Sequence, residues 1–301
     1  MLPEPPAHAT INAMDELTGQ PSSSGRRVAF FGGSFDPPHL GHLAVARAAQ
    51  AALGLGTVLF APVGAQPLKP LGSTAEFADR VAMTQLAISG EPGFELSLAD
   101  APKPSGEPNY TLETLLGLRA ALPPGNSLFC LMGADSFALL KRWHRAAEIP
   151  FAAPMIVASR PGEKMDDLQS QLPAGLSIEA FPAADEASAE FEDTALAAEG
   201  MPTADPFSQG LKPKISNAHH LKPCPFKAQI ELRRYLLRNQ VGEIAPFYLL
   251  PGLQIDISAS DIRDQIRRRG ELQPQPEAHP PDRDLLPATV SDYIRDHRLY
   301  L

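Results

Sequence analysis

Short apolar runs alternate with longer helix-forming stretches through the first half of the chain. Val28–Phe31 is apolar and ends in Gly32-Gly33, which suits a buried strand; Thr57–Ala61, Phe94–Leu98, Leu128–Met132 and Met155–Ala158 repeat the pattern. Between them, His42–Leu53 is alanine-rich and stops at Gly54, Phe77–Ile88 follows a Ser73-Thr74-Ala75-Glu76 capping box, and Tyr110–Leu122 spaces its leucines at helical intervals. Strands that alternate with helices predict an α/β fold, a Rossmann-like doubly wound parallel sheet with helices on both faces. The alternation resumes with a strand at Phe247–Leu250. A helix near Ser260 and a last one over Ala288–His297 make a short helical C-terminal part.

Two stretches break the pattern. Residues 1–26 are rich in Pro, Ser, Ala and Gly without a period, and read as a flexible N-terminal extension. From Glu163 to Pro246 the chain is first acidic and alanine-rich, then basic and proline-rich, and its one helix-forming run is Lys227–Asn239. The expected organisation is a single domain over 27–301, interrupted by an insert at 163–246 whose acidic half is partly disordered.

Composition narrows the class. Of the 301 residues, 44% are hydrophobic and 20% charged, enough for a packed core. No apolar run reaches the ~18 residues of a membrane span. The N-terminus lacks a basic patch followed by an apolar stretch, so no secretory signal is read. Cys130 and Cys224 are too few for a disulfide framework or a four-thiolate zinc site. A cytoplasmic protein with no membrane partner is expected. The net charge of -9, from 35 acidic and 26 basic residues, argues against a nucleic-acid partner. Eleven acidic residues and one lysine fall between Glu163 and Gly210, a net of -10, so the -9 of the whole leaves +1 for the rest. The acidity belongs to one segment and need not describe the active surface.

Candidate chemistry concentrates in Gly32-Gly33-Ser34-Phe35-Asp36-Pro37-Pro38-His39-Leu40-Gly41-His42, between the first strand and the first helix. Ligands of open α/β sheets bind there, outside the carboxyl ends of the strands. The glycines allow close backbone approach, and free N–H groups at a helix start favour an anion. His39 and His42 are three apart, so in a helical turn they share a face and could cradle a polyphosphate. Asp36 reads as a loop-structuring group. In Ile257-Ser258-Ala259-Ser260-Asp261-Ile262-Arg263, Ser258 or Ser260 can cap the helix that follows. Arg263 then lies about one turn in, where hydroxyls, a helix N-terminus and a guanidinium suit phosphate oxygens. Arg267–Arg269 read as a solvated basic face.

The eleven-residue string resembles the signature of the H-x-G-H nucleotidyltransferases, in the form found in bacterial nicotinate-nucleotide adenylyltransferases. Ile257–Arg263 is similar to their second signature, I-S-x-(S/T)-x-I-R. Asn109-Tyr110-Thr111, Gly133-Ala134-Asp135-Ser136, Trp143, Ser159-Arg160-Pro161-Gly162, Leu285-Leu286-Pro287 and Leu299-Tyr300 resemble further family strings. The resemblance covers about 27–162 and 247–301. It implies that the phosphate of nicotinate mononucleotide attacks the α-phosphorus of ATP, giving nicotinate adenine dinucleotide and pyrophosphate in NAD synthesis. His39, His42 and Arg263 are the implied catalytic residues. Gly32, Gly33, Ser34, Phe35, Asp135, Ser258 and Ser260 join them around ATP, with Asp135 on the ribose or, alternatively, capping a helix. Trp143 would stack on the pyridine ring, backbone near Thr111 and His144 would receive its carboxylate, and Arg160 belongs to the same subsite. Mg²⁺ would arrive with ATP, with no dedicated metal site on the protein. Where the family has P-P-H-K this chain has Gln66-Pro67-Leu68-Lys69, so Lys69 is either a phosphate contact or a free surface lysine. Arg80 is either a substrate contact or part of a helix-surface salt bridge. The alternatives are a sibling transferase for nicotinamide mononucleotide or another phosphorylated acceptor, and a non-catalytic nucleotide-binding regulator.

Overall fold

A computed structural model of the chain describes residues 25–69, 72–159, 166–181, 232–252, 257–271 and 285–301. Eight strands lie in one sheet: β1 (Arg27–Gly33), β2 (Thr57–Pro62), β3 (Phe94–Leu96), β4 (Ser127–Gly133), β5 (Met155–Ala158), β6 (Ser177–Ala180), β7 (Arg233–Arg238) and β8 (Ile244–Leu250). Their order is β3-β2-β1-β4-β5-β8-β7-β6. The strands from β3 to β8 in that order run parallel, and β7 and β6 continue the sheet antiparallel. The helices are α1 (Leu40–Leu53), α2 (Phe77–Ile88), α3 (Thr111–Ala121), α4 (Ala134–Ala138), α5 (Ile149–Ala152), α6 (Asp166–Gln171), α7 (Ala259–Glu271) and α8 (Ala288–Asp296). Among the described residues no helix is long and apolar enough to cross a membrane.

The two-residue alternation of each strand splits the core in two. Ala29, Phe31, Val58, Phe60, Leu131 and Ile156 meet Leu43, Ala46 and Ala49 of α1 on one face. Val28, Phe30, Cys130, Met132, Met155 and Val157 meet Leu112 and Leu115 of α3 and Ile149 of α5 on the other. This is the doubly wound sheet the alternation of elements predicts. Burial of both faces explains why strands such as Met155–Ala158 read as unbroken apolar runs. α1 ends as its sequence suggests, with Gly54 in the left-handed conformation (φ 60°) donating to the Gln50 carbonyl. A third cluster joins Met83 and Ala87 of α2, Ile262 and Ile266 of α7, Val290 and Ile294 of α8, and Tyr300.

Three local expectations are corrected. The Lys227–Asn239 helix is not formed: residues 233–238 are strand β7, and 227–231 lie outside the described residues. β8 would otherwise leave an open edge, and β7 covers it while burying Leu237 completely and turning Tyr235 onto the same core. The Ser73–Glu76 capping box is also absent. Glu76 is the N-cap of α2 and makes no side-chain cap bond; instead the Thr74 and Ala75 amides donate to the Asp36 carboxylate, at 2.6 and 3.1 Å. Arg80 is not part of a helix-surface salt bridge. It is 2% exposed and donates to the backbone carbonyls of Ser34 (2.7 Å) and Ala75 (3.3 Å). Residues 1–24 and 182–231, which hold most of the expected extension and of the insert, lie outside the described residues. The described parts of 163–246 add α6, β6, β7 and the start of β8 to the domain.

Candidate active site

The chain leaves β1 toward β2 on one side, while β4 flanks β1 on the other. The carboxyl ends of β1 and β4 therefore open a crevice at the switch point of the sheet. A cavity of about 480 Å³ occupies it. Its walls include Gly32, Gly33, Ser34, Phe35, His39 and His42 from the first turn, and Ser258, Ser260 and Arg263 from the start of α7. Lys69, Thr111, Asp135, Trp143 and His144 line the same cavity. Arg160 and Cys224 lie outside the described residues.

The two signatures meet directly. The Arg263 guanidinium donates to the Asp36 backbone carbonyl at 2.6 Å and to the Ser260 hydroxyl at 3.2 Å. These partners are 227 residues apart in the case of Asp36. The Leu40 amide at the start of α1 donates to the Leu285 carbonyl, which ties in the C-terminal part. Ser258 immediately precedes α7, and its carbonyl accepts from the Ile262 amide. Arg267 pairs with Asp264 on the exposed face of α7, as expected of a solvated basic residue.

The first turn is shaped by packing as much as by ligand access. A Cβ on Gly32 would sit 2.7 Å from the buried Phe30 ring, and one on Gly33 would sit 3.2 Å from Phe35. Phe35 itself has φ 46° and is 1% exposed, so its backbone is held in a conformation that side chains of its size rarely adopt. Strain of this kind collects at functional sites.

His39 and His42 do not sit on one helical face. His39 is the N-cap of α1, in extended conformation (φ -137°, ψ 169°), and His42 is in the first turn. Their rings stack at 3.7 Å, and Phe35 meets His42 edge-on at 4.9 Å. The His39 amide donates to His42 Nδ1 at 3.1 Å. A neutral His42 must then carry its proton on Nε2. His39 Nδ1 is buried without a hydrogen-bond partner among the described residues. Burial lowers the His39 pKa from 6.5 to about 4. Burial, and after it the neighbouring His39, holds His42 well below its ordinary value. Both imidazoles are therefore neutral donors at pH 7 until an anion arrives.

Lys69 is not a free surface lysine. Its ammonium donates to the Ser34 hydroxyl at 2.9 Å, and that hydroxyl donates to Gln66 at 3.0 Å. Burial, then the charge of Arg263, lowers its pKa. Asp135 lies in the first turn of α4, and Gly133 holds the N-cap position, so the capping alternative for Asp135 is removed. Trp143 packs partly on the core and partly lines the cavity. Thr111 is the first residue of α3, and the rings of Tyr110 and His144 lie 4.4 Å apart across the cavity's edge. Asn109 fixes this corner: its side chain accepts from the Ala65 amide and donates to the Ala101 carbonyl, both at 2.9 Å. Roles for Asn109, Gln66 and Arg80 escape a sequence reading, because their partners are backbone groups or residues far along the chain. The fixed spacing of Asn109-Tyr110-Thr111 is the one signal that points to the first of them. Cys130, also on the wall, is an inert thiol whose pKa burial raises to about 12.

Comparison with known proteins gives the family and the fold. The sequence profile of the Cytidylyltransferase-like family matches residues 30–265. A protein of Gloeobacter violaceus named "Probable nicotinate-nucleotide adenylyltransferase" is 44% identical over 146 residues, 48% of this chain and 69% of that protein. A protein of the same name from Solibacter usitatus is 35% identical over 200 residues, 65% of this chain and 98% of its own length. Among solved structures, Plasmodium falciparum nicotinic acid mononucleotide adenylyltransferase complexed with NaAD superposes with a TM-score of 0.54 at 14% identity, covering 91% of this chain and 97% of that one. At that identity the likeness concerns the fold.

Proposed function

This chain belongs to the Cytidylyltransferase-like family and, within it, to the nicotinate-nucleotide adenylyltransferases, and from that premise we propose how its cavity works. The reaction is adenylyl transfer from ATP to nicotinate mononucleotide, giving nicotinate adenine dinucleotide and pyrophosphate, a step of NAD biosynthesis. The observation that carries the reading is the hydrogen bond from Arg263 to the Asp36 carbonyl, which closes both signatures over one cavity.

The nucleophile is a phosphate oxygen, already anionic, so no protein nucleophile or strong base is required. The phosphate oxygen forms a bond to the α-phosphorus of ATP, and the bond from that phosphorus to the β-bridging oxygen breaks, releasing pyrophosphate. The protein must hold two mutually repelling anions in line and stabilise charge growing on the leaving oxygens. His42 offers Nε2–H, fixed in that tautomer by the bond its Nδ1 accepts. His39 offers an imidazole whose Nδ1 lacks a partner among the described residues. Arg263 and Lys69 supply positive charge, and the amides of Gly32–Phe35 and the starts of α1 and α7 supply oriented N–H groups. Asp135 receives the ribose hydroxyls of ATP. On the acceptor side, the Trp143 ring takes the pyridine face, and amides at the start of α3 and near His144 take its carboxylate. Arg160 belongs to the same subsite.

ATP enters as its magnesium complex, with the ion held by phosphate oxygens and water. Among the described residues no three His, Cys, Asp or Glu side chains gather to hold a metal. Residues 27–301 act as one nucleotidyltransferase domain, and the enzyme works in the cytoplasm.

Purified protein given MgATP and nicotinate mononucleotide should release dinucleotide and pyrophosphate in equal amounts. His42→Ala should lower turnover roughly 10²–10³-fold, as loss of one donor to a developing anion does. Near-normal turnover in that variant would remove the mechanism. Faster turnover on nicotinamide mononucleotide would assign the chain to the amide instead. Tight ATP binding without pyrophosphate release would make it a regulator.

A further inference from the structure

Asp36 is a junction of four chain segments. Its carboxylate is buried and accepts the Thr74 amide at 2.6 Å, the Ala75 amide at 3.1 Å and the Tyr300 hydroxyl at 2.8 Å. Its backbone carbonyl accepts from Arg263 at 2.6 Å, while the nearest approach of the Arg263 guanidinium to the carboxylate is 4.0 Å. We infer that Tyr300 is a positioning residue for adenylyl transfer: its hydroxyl keeps the Asp36 carboxylate occupied, so that Arg263 stays on the backbone carbonyl and faces the phosphates. The inference rests on the adenylyl-transfer reading above.

The argument is one of competing donors. An ionised carboxylate accepts about four hydrogen bonds, and a buried one that loses a donor finds another. Here three neutral donors serve the carboxylate, and of the cations around it Arg263 stands at the limit of an ion pair. Remove the hydroxyl and Oδ1 keeps only the longer bond from Ala75. The Arg263 guanidinium, 4.0 Å from the neighbouring Oδ2, then gains by swinging onto the carboxylate, and its charge leaves the cradle. The C-terminal tail is bent to make the contact. Arg298 and Tyr300 both have positive φ, at 52° and 68°, in the left-handed region that such residues rarely enter. The ring of Tyr300 packs with α2, α7 and α8, so the aromatic body anchors the tail and the hydroxyl alone reaches the first turn. That division makes the role separable by a change of one atom.

The test is a double-mutant cycle of Tyr300→Phe and Asp36→Asn, with kcat and KM measured for ATP and for nicotinate mononucleotide. Tyr300→Phe keeps the ring, so thermal melting should stay close to that of the unaltered protein. Its kcat/KM for ATP should fall about tenfold, as for one hydrogen bond to a charged acceptor, with KM for the mononucleotide unchanged. In the Asp36→Asn background the same change should have no further effect, because the carboxylate it protects is gone. Effects that multiply independently, or a Tyr300→Phe enzyme within twofold of normal, overturn the inference. Should Asp36→Asn fail to fold, the single variant still decides through its KM for ATP. Calorimetric binding of inorganic pyrophosphate reads the same cradle without any reaction. An unaltered protein inactive on nicotinate mononucleotide would defeat the functional reading, and equal pyrophosphate affinity in Tyr300→Phe would separately defeat this one.

Discussion

Replacing His39 with glutamine should make the protein more resistant to acid. His39 is 7% exposed, and burial takes its pKa from 6.5 down to about 4. The unfolded chain binds a proton on this imidazole below pH 6.5, whereas the folded chain refuses it until the pH nears 4. A depressed folded-state pKa gives stability that is whole above pH 6.5 and drains as the pH falls, until both states are protonated below about 4. A gap of about 2.5 pH units corresponds to a total loss of ~3 kcal/mol, of which about 2 kcal/mol is gone by pH 5. Glutamine does not titrate, so the variant escapes this loss. For a domain of this size ~2 kcal/mol is about 4–8 °C in melting temperature. Thermal melts of both proteins between pH 7.5 and 5 should therefore start nearly together and separate by that amount. Parallel curves would show that burial does not depress the His39 pKa, and the picture of an imidazole kept uncharged by burial would fall with it.

Two further substitutions probe the rest of the architecture. Arg263→Lys leaves the charge, but one ammonium cannot hold the Asp36 carbonyl and the Ser260 hydroxyl in the geometry of a planar fork. Steady-state kinetics should show kcat/KM for ATP reduced roughly 10–100-fold, and a reduction under about threefold would mean that the fork geometry is dispensable. Leu237→Ala removes a side chain that is 0% exposed in β7 and should cost about 2–5 kcal/mol in urea unfolding. On an exposed helix face the same change would stay within about 0.5 kcal/mol, so the measurement separates strand from helix at this position.

The parallel half of the sheet is legible in the sequence because burial on both faces leaves no room for polar residues. Met155–Ala158 is buried at all four positions, and a sequence with no polar option announces itself. The antiparallel edge is not legible, for the opposite reason. Ser177-Ile178-Glu179-Ala180 is mostly exposed and has no periodic signal to read. Arg233-Arg234-Tyr235-Leu236-Leu237-Arg238 fits a helical period as well as a strand one. What selects the strand is the open edge of β8, a partner that only the folded sheet supplies. The start of α2 fails in the same way. Ser73–Glu76 looks self-sufficient, yet its amides are served by Asp36, almost forty residues earlier, and no local rule contains that pairing. The site divides along the same line. Its ligand-facing residues are fixed by backbone turns and stand out as strings. The residues that hold those turns in place act on distant groups: Gln66 looks ordinary where it stands, and the sequence marks Tyr300 and Arg80 without showing their partners.

The site is also built against the stability of the empty protein. Lys69, Arg80 and Arg263 gather about the one Asp36 carboxylate, in a chain whose net charge is -9. Burial and the neighbouring Arg263 both disfavour the charge on Lys69. The two imidazoles are stacked, drawn out of water and neutral, and one buried ring nitrogen has no partner among the described residues. Phe35 sits at positive φ between them and the core. Each feature is unfavourable alone, and a polyphosphate relieves all but the last by pairing the cations and accepting from the ring N–H groups, the orphaned nitrogen included. A site so arranged binds an anion more strongly than its contacts in isolation would suggest, because binding removes repulsion as well as adding attraction. The same relief is greatest for the species with the most charge in the cradle. In the mechanism proposed above, charge that accumulates on departing pyrophosphate is therefore favoured over the bound triphosphate, and this differential, rather than affinity for ATP, would accelerate transfer.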